Sequence, residues 1–359
     1  MSKHNENNER VKREYFAYLK EAQRNGEQSI DAAAMALDRF ETYTKHRDFK
    51  AFHREQAIAF KRQLLEQPSR RGAGKLSKST VVSTLTALRK FFYWLAGRSG
   101  YRSRISYSDA DYFNPSDKDA RIARGPRPRD VPSLEQINHT LCTMPSSTVI
   151  ERRDRAVLAF ILLTGCRDKA AVSLKLKHVS IEKGVVIQDA REVATKFAKT
   201  ITTYFFPVGE EPLKIMTDWI AELRTTHLWG PDDPLFPKTL VGLAVGKFKA
   251  VGIQRQPWRN ADPVRRIFKA AFVRARLPNF NPHSIRHLLT RLGQERCRSP
   301  MEFKAWSQNL GHEQVLTTFT SYGRLEEHRQ GEIIKALGLT RSGDIQNLLA
   351  QFLTAAALG

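Results

Sequence analysis

The sequence predicts a mainly α-helical protein of two domains with a small antiparallel β-sheet in the second, an α+β fold. Three observations carry this expectation. Apolar residues recur at helical spacing through most of the chain, while residues 184–208 switch to β-branched and aromatic types around a basic turn. Between two longer regions, the segment 114–132 concentrates prolines and cations with few large apolar residues, the composition of an extended, solvated linker. At 359 residues the chain also exceeds the roughly 250 to 300 residues at which a single core stops growing. The expected division is a helical domain at 1–113, the linker at 114–132, a second domain at 133–325 and a tail at 326–359.

Taken in order, the stretch from Arg10 to Tyr107 reads as helical, most clearly from Ser79 to Ala96, where Val82, Leu85, Leu88, Phe92 and Leu95 share one face. Ser79 is the expected N-cap of that helix. Just before it, Gln67-Pro-Ser-Arg-Arg-Gly-Ala-Gly-Lys75 has loop composition, and Arg70, Arg71 and Lys75 either touch a phosphate backbone or stay solvated. Helical periodicity resumes at Ser133, where Ser-Leu-Glu-Gln forms a capping-box pattern, and Arg153 to Leu163 reads as a buried helix running into a Thr164-Gly165 turn. Val185 to Ile187 and Ile201 to Phe206 form a β-hairpin with Lys196 or Lys199 near its tip. From Asp262 the chain returns to helices. It ends, after a Gly343-Asp344 break, in an apolar helix from Ile345 to Leu358, a surface that wants a partner or its own domain to cover it.

Composition narrows the function classes. A net charge of +22 and a pI near 10.1 attract polyanions, which makes nucleic acid the expected partner. Cys142, Cys166 and Cys297 are odd in number and lack a Cys-x-x-Cys, arguing against a disulfide framework or a structural zinc site and for a reducing compartment. The first ten residues hold no apolar signal-peptide core, and the apolar run from Ala156 to Leu163 is far short of the ~20 residues that span a bilayer. A soluble, cytoplasmic protein is expected, nucleoid-associated in a prokaryote, without membrane partners.

The chemistry-bearing residues lie in the second half. Asn281-Pro-His-Ser-Ile-Arg286 places a good N-cap and a first-turn proline at a helix start, whose free N–H groups attract anions. His283 and Arg286, three residues apart, share one face and can reach one phosphate. Alone this pair is weak, since a capping histidine and a salt-bridging arginine are commonplace. It is joined by Arg167, by Lys196 in the hairpin, and by Asn309-Leu-Gly-His312 with Tyr322 ten positions later. Four of these groups can hold a phosphate, the lysine can protonate a leaving oxygen, and the phenol can attack phosphorus.

In order and spacing, Thr164-Gly-Cys-Arg167, Thr195-Lys196, His283-Ser-Ile-Arg-His287, Leu310-Gly-His312 and Tyr322 resemble the tyrosine recombinase (phage integrase) family, over roughly Ser133 to Leu325. The helical first domain is similar in size and position to that family's core-binding domain. The resemblance implies a site-specific recombinase that cuts and rejoins duplex DNA through a 3′-phosphotyrosine. Tyr322 would be the nucleophile, His283 the base, Arg167 and Arg286 the cations on the non-bridging oxygens, Lys196 the acid and His312 a supporting donor, with Lys199 as runner-up acid. His287, within the same motif, joins Arg70, Arg71, Lys75 and Lys199 as an expected DNA contact. No cofactor, metal or ATP is expected, because side chains supply the positive charge. The family also implies a homotetramer on paired sites, exchange of the tail helix between subunits, and accessory DNA-bending proteins. One departure stands out: the family's acidic residue three positions after the first arginine is Ala170 here, with Asp168 the nearest acid. A non-catalytic architectural DNA-binding protein and a type IB topoisomerase-like relaxing enzyme are the alternatives.

Overall fold

The computed structural model describes residues 4–69, 74–125, 130–195, 198–244 and 247–312. The chain divides into two compact units, Met1–Gly125 and Pro126–Gly359.

The first unit is helical: α1 (Glu6–Ala17, continuing through a short π-turn to Ala22), α2 (Glu27–Tyr43), α3 (Arg54–Glu66), α4 (Lys78–Ala96) and α5 (Asp117–Arg124). Its core is aromatic, with Phe40 edge-on to Phe92 at 5.4 Å and to Phe60 at 5.2 Å. Such pairs add to area burial. Helix α4 buries Leu85, Leu88, Phe92 and Leu95 as its periodicity predicts, but its inner face is completed by Val81 and Phe91. The N-cap is Ser77, not Ser79: Ser77 is extended and its hydroxyl accepts from the Thr80 amide at 3.1 Å, which leaves Ser79 inside the first turn.

The expected extended linker is partly helical. Ser116 caps α5, with Asp117 and Asp119 in the first turn and Arg121 and Arg124 in the last. That charge order suits the helix dipole, and Lys78 pairs with Asp119 at 2.6 Å to hold α5 on α4. No α5 residue is buried, which is why composition alone reads as solvated linker.

The second unit is built around α7 (Val149–Thr164), whose residues Ala156 to Thr164 are all buried. A helix apolar on every side must be covered on every side. Its cover comes from α6 (Leu134–Thr143), α9 (Glu210–Thr225), α10 (Asp262–Arg274) and α11 (Pro282–Arg296). The predicted Ser133–Gln136 capping box opens α6, and a second, Thr148–Glu151, opens α7. The short α8 (Asp168–Ala171) follows α7, and α12 (Pro300–Asn309) follows α11.

The predicted hairpin is the outer part of a three-stranded antiparallel sheet: β1 (Val179–Ser180), β2 (Val185–Gln188) and β3 (Ile201–Tyr204), with Val186 opposite Thr203. A second, longer hairpin was not expected from the sequence: β4 (Pro237–Ala244) against β5 (Lys247–Pro257). Among the described residues no helix is long and apolar enough to cross a membrane.

Candidate active site

Three chain reversals meet at one buried guanidinium. The first is the end of α7. Gly165 caps it in the left-handed conformation, φ 59°, and a Cβ there would stand 2.8 Å from Leu310 Cδ2 and 3.0 Å from Leu289 Cδ1. Conformation and space therefore both select glycine. Two residues on, Arg167 sits half-buried at the N-terminus of α8, and burial holds its guanidinium below the usual arginine range. Cys166 beside it is fully enclosed, which pushes its thiol up to about 12, so it is an inert packing group.

The second reversal starts α11. Asn281 is the predicted N-cap and Pro282 occupies the first turn. The Asn281 side-chain oxygen accepts from the amides of His283 at 2.9 Å and Ser284 at 3.2 Å. Two of the N–H groups expected to face an anion are thus already satisfied by the cap. His283 is exposed at the rim and meets His287 edge-on at 4.8 Å. Arg286, three residues later, turns inward and is 5% exposed.

That inward turn makes Arg286 the knot of the site. One terminal nitrogen donates to the Gly165 carbonyl; the other donates to the Leu310 carbonyl at 2.6 Å and reaches His312 Nε2 at 3.1 Å. Burial and the neighbouring Arg167 lower Arg286 to about 9, so it remains a cation at neutral pH. Replacing one of these carbonyls' donors would leave a buried acceptor unpaired.

The third reversal, Leu310-Gly311-His312, ends α12. Gly311 is left-handed, φ 70°, with Ile201 of β3 3.0 Å from where a Cβ would lie. Asn309 pins the turn to the sheet as a strand would: its oxygen accepts from the Tyr204 amide at 2.7 Å and its nitrogen donates to the Tyr204 carbonyl at 2.8 Å. Burial first, then the charges of Arg286 and Arg167, lower His312 to about 4.

A cleft of ≈380 Å³ opens on this knot, lined by Cys166, Arg167, Asp168, Arg265, Asn281, Pro282 and His283. Arg265 is a contribution that sequence reasoning missed, and Asn309, quoted there only as part of the Leu-Gly-His motif, was given no contact. Arg265 Nε donates to Asp168 at 2.9 Å and Nη1 to Asp262 at 3.2 Å. Asp168, the nearest acid to Arg167, is thus engaged across the cleft, while Ala170 is in the core at 2% exposure. No sequence signal links positions 168 and 265, because only the packing of α10 beside α8 joins them.

The structure therefore lines one opening with Arg167 and His283 and sets the buried Arg286, bonded to His312, behind it. Lys199 is exposed two residues before β3, and Lys75, in the first unit, pairs with Glu66. Lys196, Tyr322, Arg70, Arg71 and the tail 326–359 lie outside the described residues. Among those described, no group of three or more His, Cys, Asp or Glu is arranged as a metal site.

Residues 130–329 match the model of the phage integrase family. Tyrosine recombinase XerD of Neisseria meningitidis serogroup B (strain ATCC BAA-335 / MC58) is 24% identical over 247 residues, covering 67% of this chain and 71% of that protein. Tyrosine recombinase XerC of Stutzerimonas stutzeri (strain A1501) is 25% identical over 305 residues, 85% of this chain and 88% of that one. Among solved structures, XerH recombinase bound to difH in a pre-cleavage complex superposes with a TM-score of 0.58 at 18% identity, over 90% of this chain and 84% of that chain. A lambda integrase dimer on a COC′ core site gives 0.58 at 13% identity, over 89% and 96%. These superpositions establish a shared fold.

Proposed function

Since the chain belongs to the phage integrase family and is by that membership a tyrosine recombinase, we propose that it performs site-specific recombination on duplex DNA at the cleft lined by Arg167 and His283, with Arg286 and His312 in the knot behind it. The observation that carries this reading is the Arg286 knot: one buried guanidinium ties together the turn bearing Arg167 and the turn bearing His312. A transition state that gathers charge on phosphate oxygens is stabilised most by cations already fixed in place.

In this reading the Tyr322 phenolic oxygen bonds to phosphorus as the bond to the 5′-oxygen breaks. His283 takes the phenol proton, which an ordinary tyrosine with a pKa near ~10 does not release at neutral pH. Lys196 returns a proton to the departing 5′-oxygen. Arg167 and Arg286 stabilise the non-bridging oxygens, and His312 donates to the same phosphate. The phosphotyrosine conserves the bond energy, so attack by a 5′-hydroxyl reseals the strand without ATP. The first unit serves as the DNA clamp, and four subunits act on two sites with the 326–359 tail reaching a neighbour.

The test is trapping on a nicked suicide duplex in EDTA, comparing the wild type with Tyr322→Phe on denaturing gels. A covalent adduct that is lost in the variant supports strand cleavage by this tyrosine. Tight DNA binding by both proteins with no adduct from either overturns it in favour of an architectural role.

A further inference from the structure

The β4–β5 hairpin is the largest part of the second unit that the catalytic reading leaves unused. Its root is built into the core. Arg153, buried at 3% exposure, donates from Nη1 to the Pro237 carbonyl and the Thr239 hydroxyl, each at 3.0 Å, and lies 4.8 Å over the Trp258 ring. Arg255 holds the other strand, donating to the Leu228 carbonyl at 3.1 Å and to Asp233 at 2.6 Å. Past the register shift at Leu240/Val241, the distal pairs contribute no described side chain to the core; within the hairpin only Ile253, near the root, packs against it. The pairs from Val241 to Ala244 carry the ribbon roughly 13 Å further.

The register sorts this distal part into two faces. Leu243 pairs with Phe248 and Val241 with Ala250 on one; Gly242 pairs with Lys249 and Ala244 with Lys247 on the other. Leu243 is 71% and Phe248 79% exposed, and both lysines are exposed. Over 237–257 the sequence holds Lys238, Lys247, Lys249 and Arg255 and no Asp or Glu.

We propose that the lysine face of this ribbon is a second DNA-binding surface, taking backbone phosphates of the duplex beside the cleaved position. The proposal rests on the recombinase reading for the duplex in the cleft. Charge selects the occupant: a chain of net charge +22 offers the ribbon's lysines a poor match in a second copy of itself, whereas DNA presents one negative charge per about 1.7 Å of axis. Position agrees. The first turns of α10 send Arg265 into the cleft, while the adjoining Pro263, Arg266 and Ile267 line a ≈460 Å³ hollow under the ribbon together with Lys238, Thr239 and Ala250. Cleft and ribbon root thus adjoin one helix end, and a two-stranded ribbon is narrow enough for a major groove about 12 Å wide. Phosphate contacts of this kind set register and affinity without reading sequence.

The test measures binding of the full-length chain to a random-sequence duplex of about 30 base pairs, long enough for several phosphate contacts, as a function of salt. Each phosphate contact contributes about 0.9 to the slope of log affinity against log salt. The K247A/K249A variant is expected to lower that slope by about 2 with an unchanged melting temperature, while L243S/F248S keeps the wild-type slope. An unchanged slope for the lysine variant overturns the proposal. So does loss of higher-order assembly on DNA in L243S/F248S with no slope change in K247A/K249A, which would make the ribbon a protein interface. Failure of the Tyr322 adduct assay would leave the slopes untouched, so the two readings fail separately.

Discussion

Arg286 and His312 are 26 residues apart in the chain, yet a terminal guanidinium nitrogen of the first stands 3.1 Å from Nε2 of the second. An arginine has only donors, so Nε2 of His312 must accept, and its proton belongs on Nδ1. The knot thereby fixes the tautomer as well as the position of the imidazole.

The first prediction concerns that imidazole. Its neutral form is favoured in the folded state, with the pKa lowered from 6.5 to about 4 by burial and the two arginines. As pH falls from about 6.5, the unfolded chain takes up the proton first. Stability that is present above 6.5 is therefore lost as pH falls through about 4. Histidine NMR should show one resonance, absent in His312→Gln, that titrates near 4 as the Nδ1–H tautomer. A titration near 6.5 would show that the knot does not hold in solution.

Gly165 gives the second prediction. Gly165→Ala meets a left-handed backbone penalty of about 1 to 2 kcal/mol and an overpacking cost of about 1 to 3 kcal/mol against Leu310 and Leu289. Both side chains are buried, so neither can swing clear. A loss of about 2 to 5 kcal/mol in urea unfolding is expected, along with slower adduct formation, because Arg167 and the Gly165 carbonyl move with the turn. A change within ±0.5 kcal/mol, the range of an ordinary surface substitution, would mean that the turn relaxes at no cost.

How far the site was legible follows from which physics each residue obeys. Asn281, Pro282 and the Ser133–Gln136 box act over three or four residues, and local capping rules find them in the sequence. Arg167, His283, Arg286 and His312 were legible only as an ordered set, since what unites them is a contact across 121 residues, Arg286 to Gly165. Ser77 was displaced to Ser79 because both can cap and only the backbone angles decide. The contacts of Arg265 and Asn309 were silent because their partners, Asp168 and Tyr204, are 97 and 105 residues away. The second hairpin was missed although Lys247-Phe-Lys-Ala250 alternates. Its distal apolar face, Val241, Leu243, Phe248 and Ala250, adds nothing to the core, and a strand is most readily recognised by the face it buries.

Arg153 carries the last prediction. Its guanidinium pairs with Asp154 at 2.7 Å and also holds Pro237 and Thr239 at the ribbon root. Burial already raises the Asp154 carboxyl above its usual range, with Arg153 working against that rise. Arg153→Met removes the opposing charge and raises it further. A carboxyl whose folded pKa lies above the unfolded one stabilises only while protonated, and that stability is lost as pH rises through the folded pKa. Asp154 is partly exposed, so the variant should be destabilised at pH 7 by less than the about 3 to 5 kcal/mol that breaking a fully buried pair costs, and by clearly less again at pH 4. Adding Asp154→Asn should recover much of the pH 7 loss. The ribbon carbonyl and hydroxyl would still lack their donor, so recovery should be incomplete. Equal destabilisation at both pH values would show that Arg153 acts through the ribbon root alone.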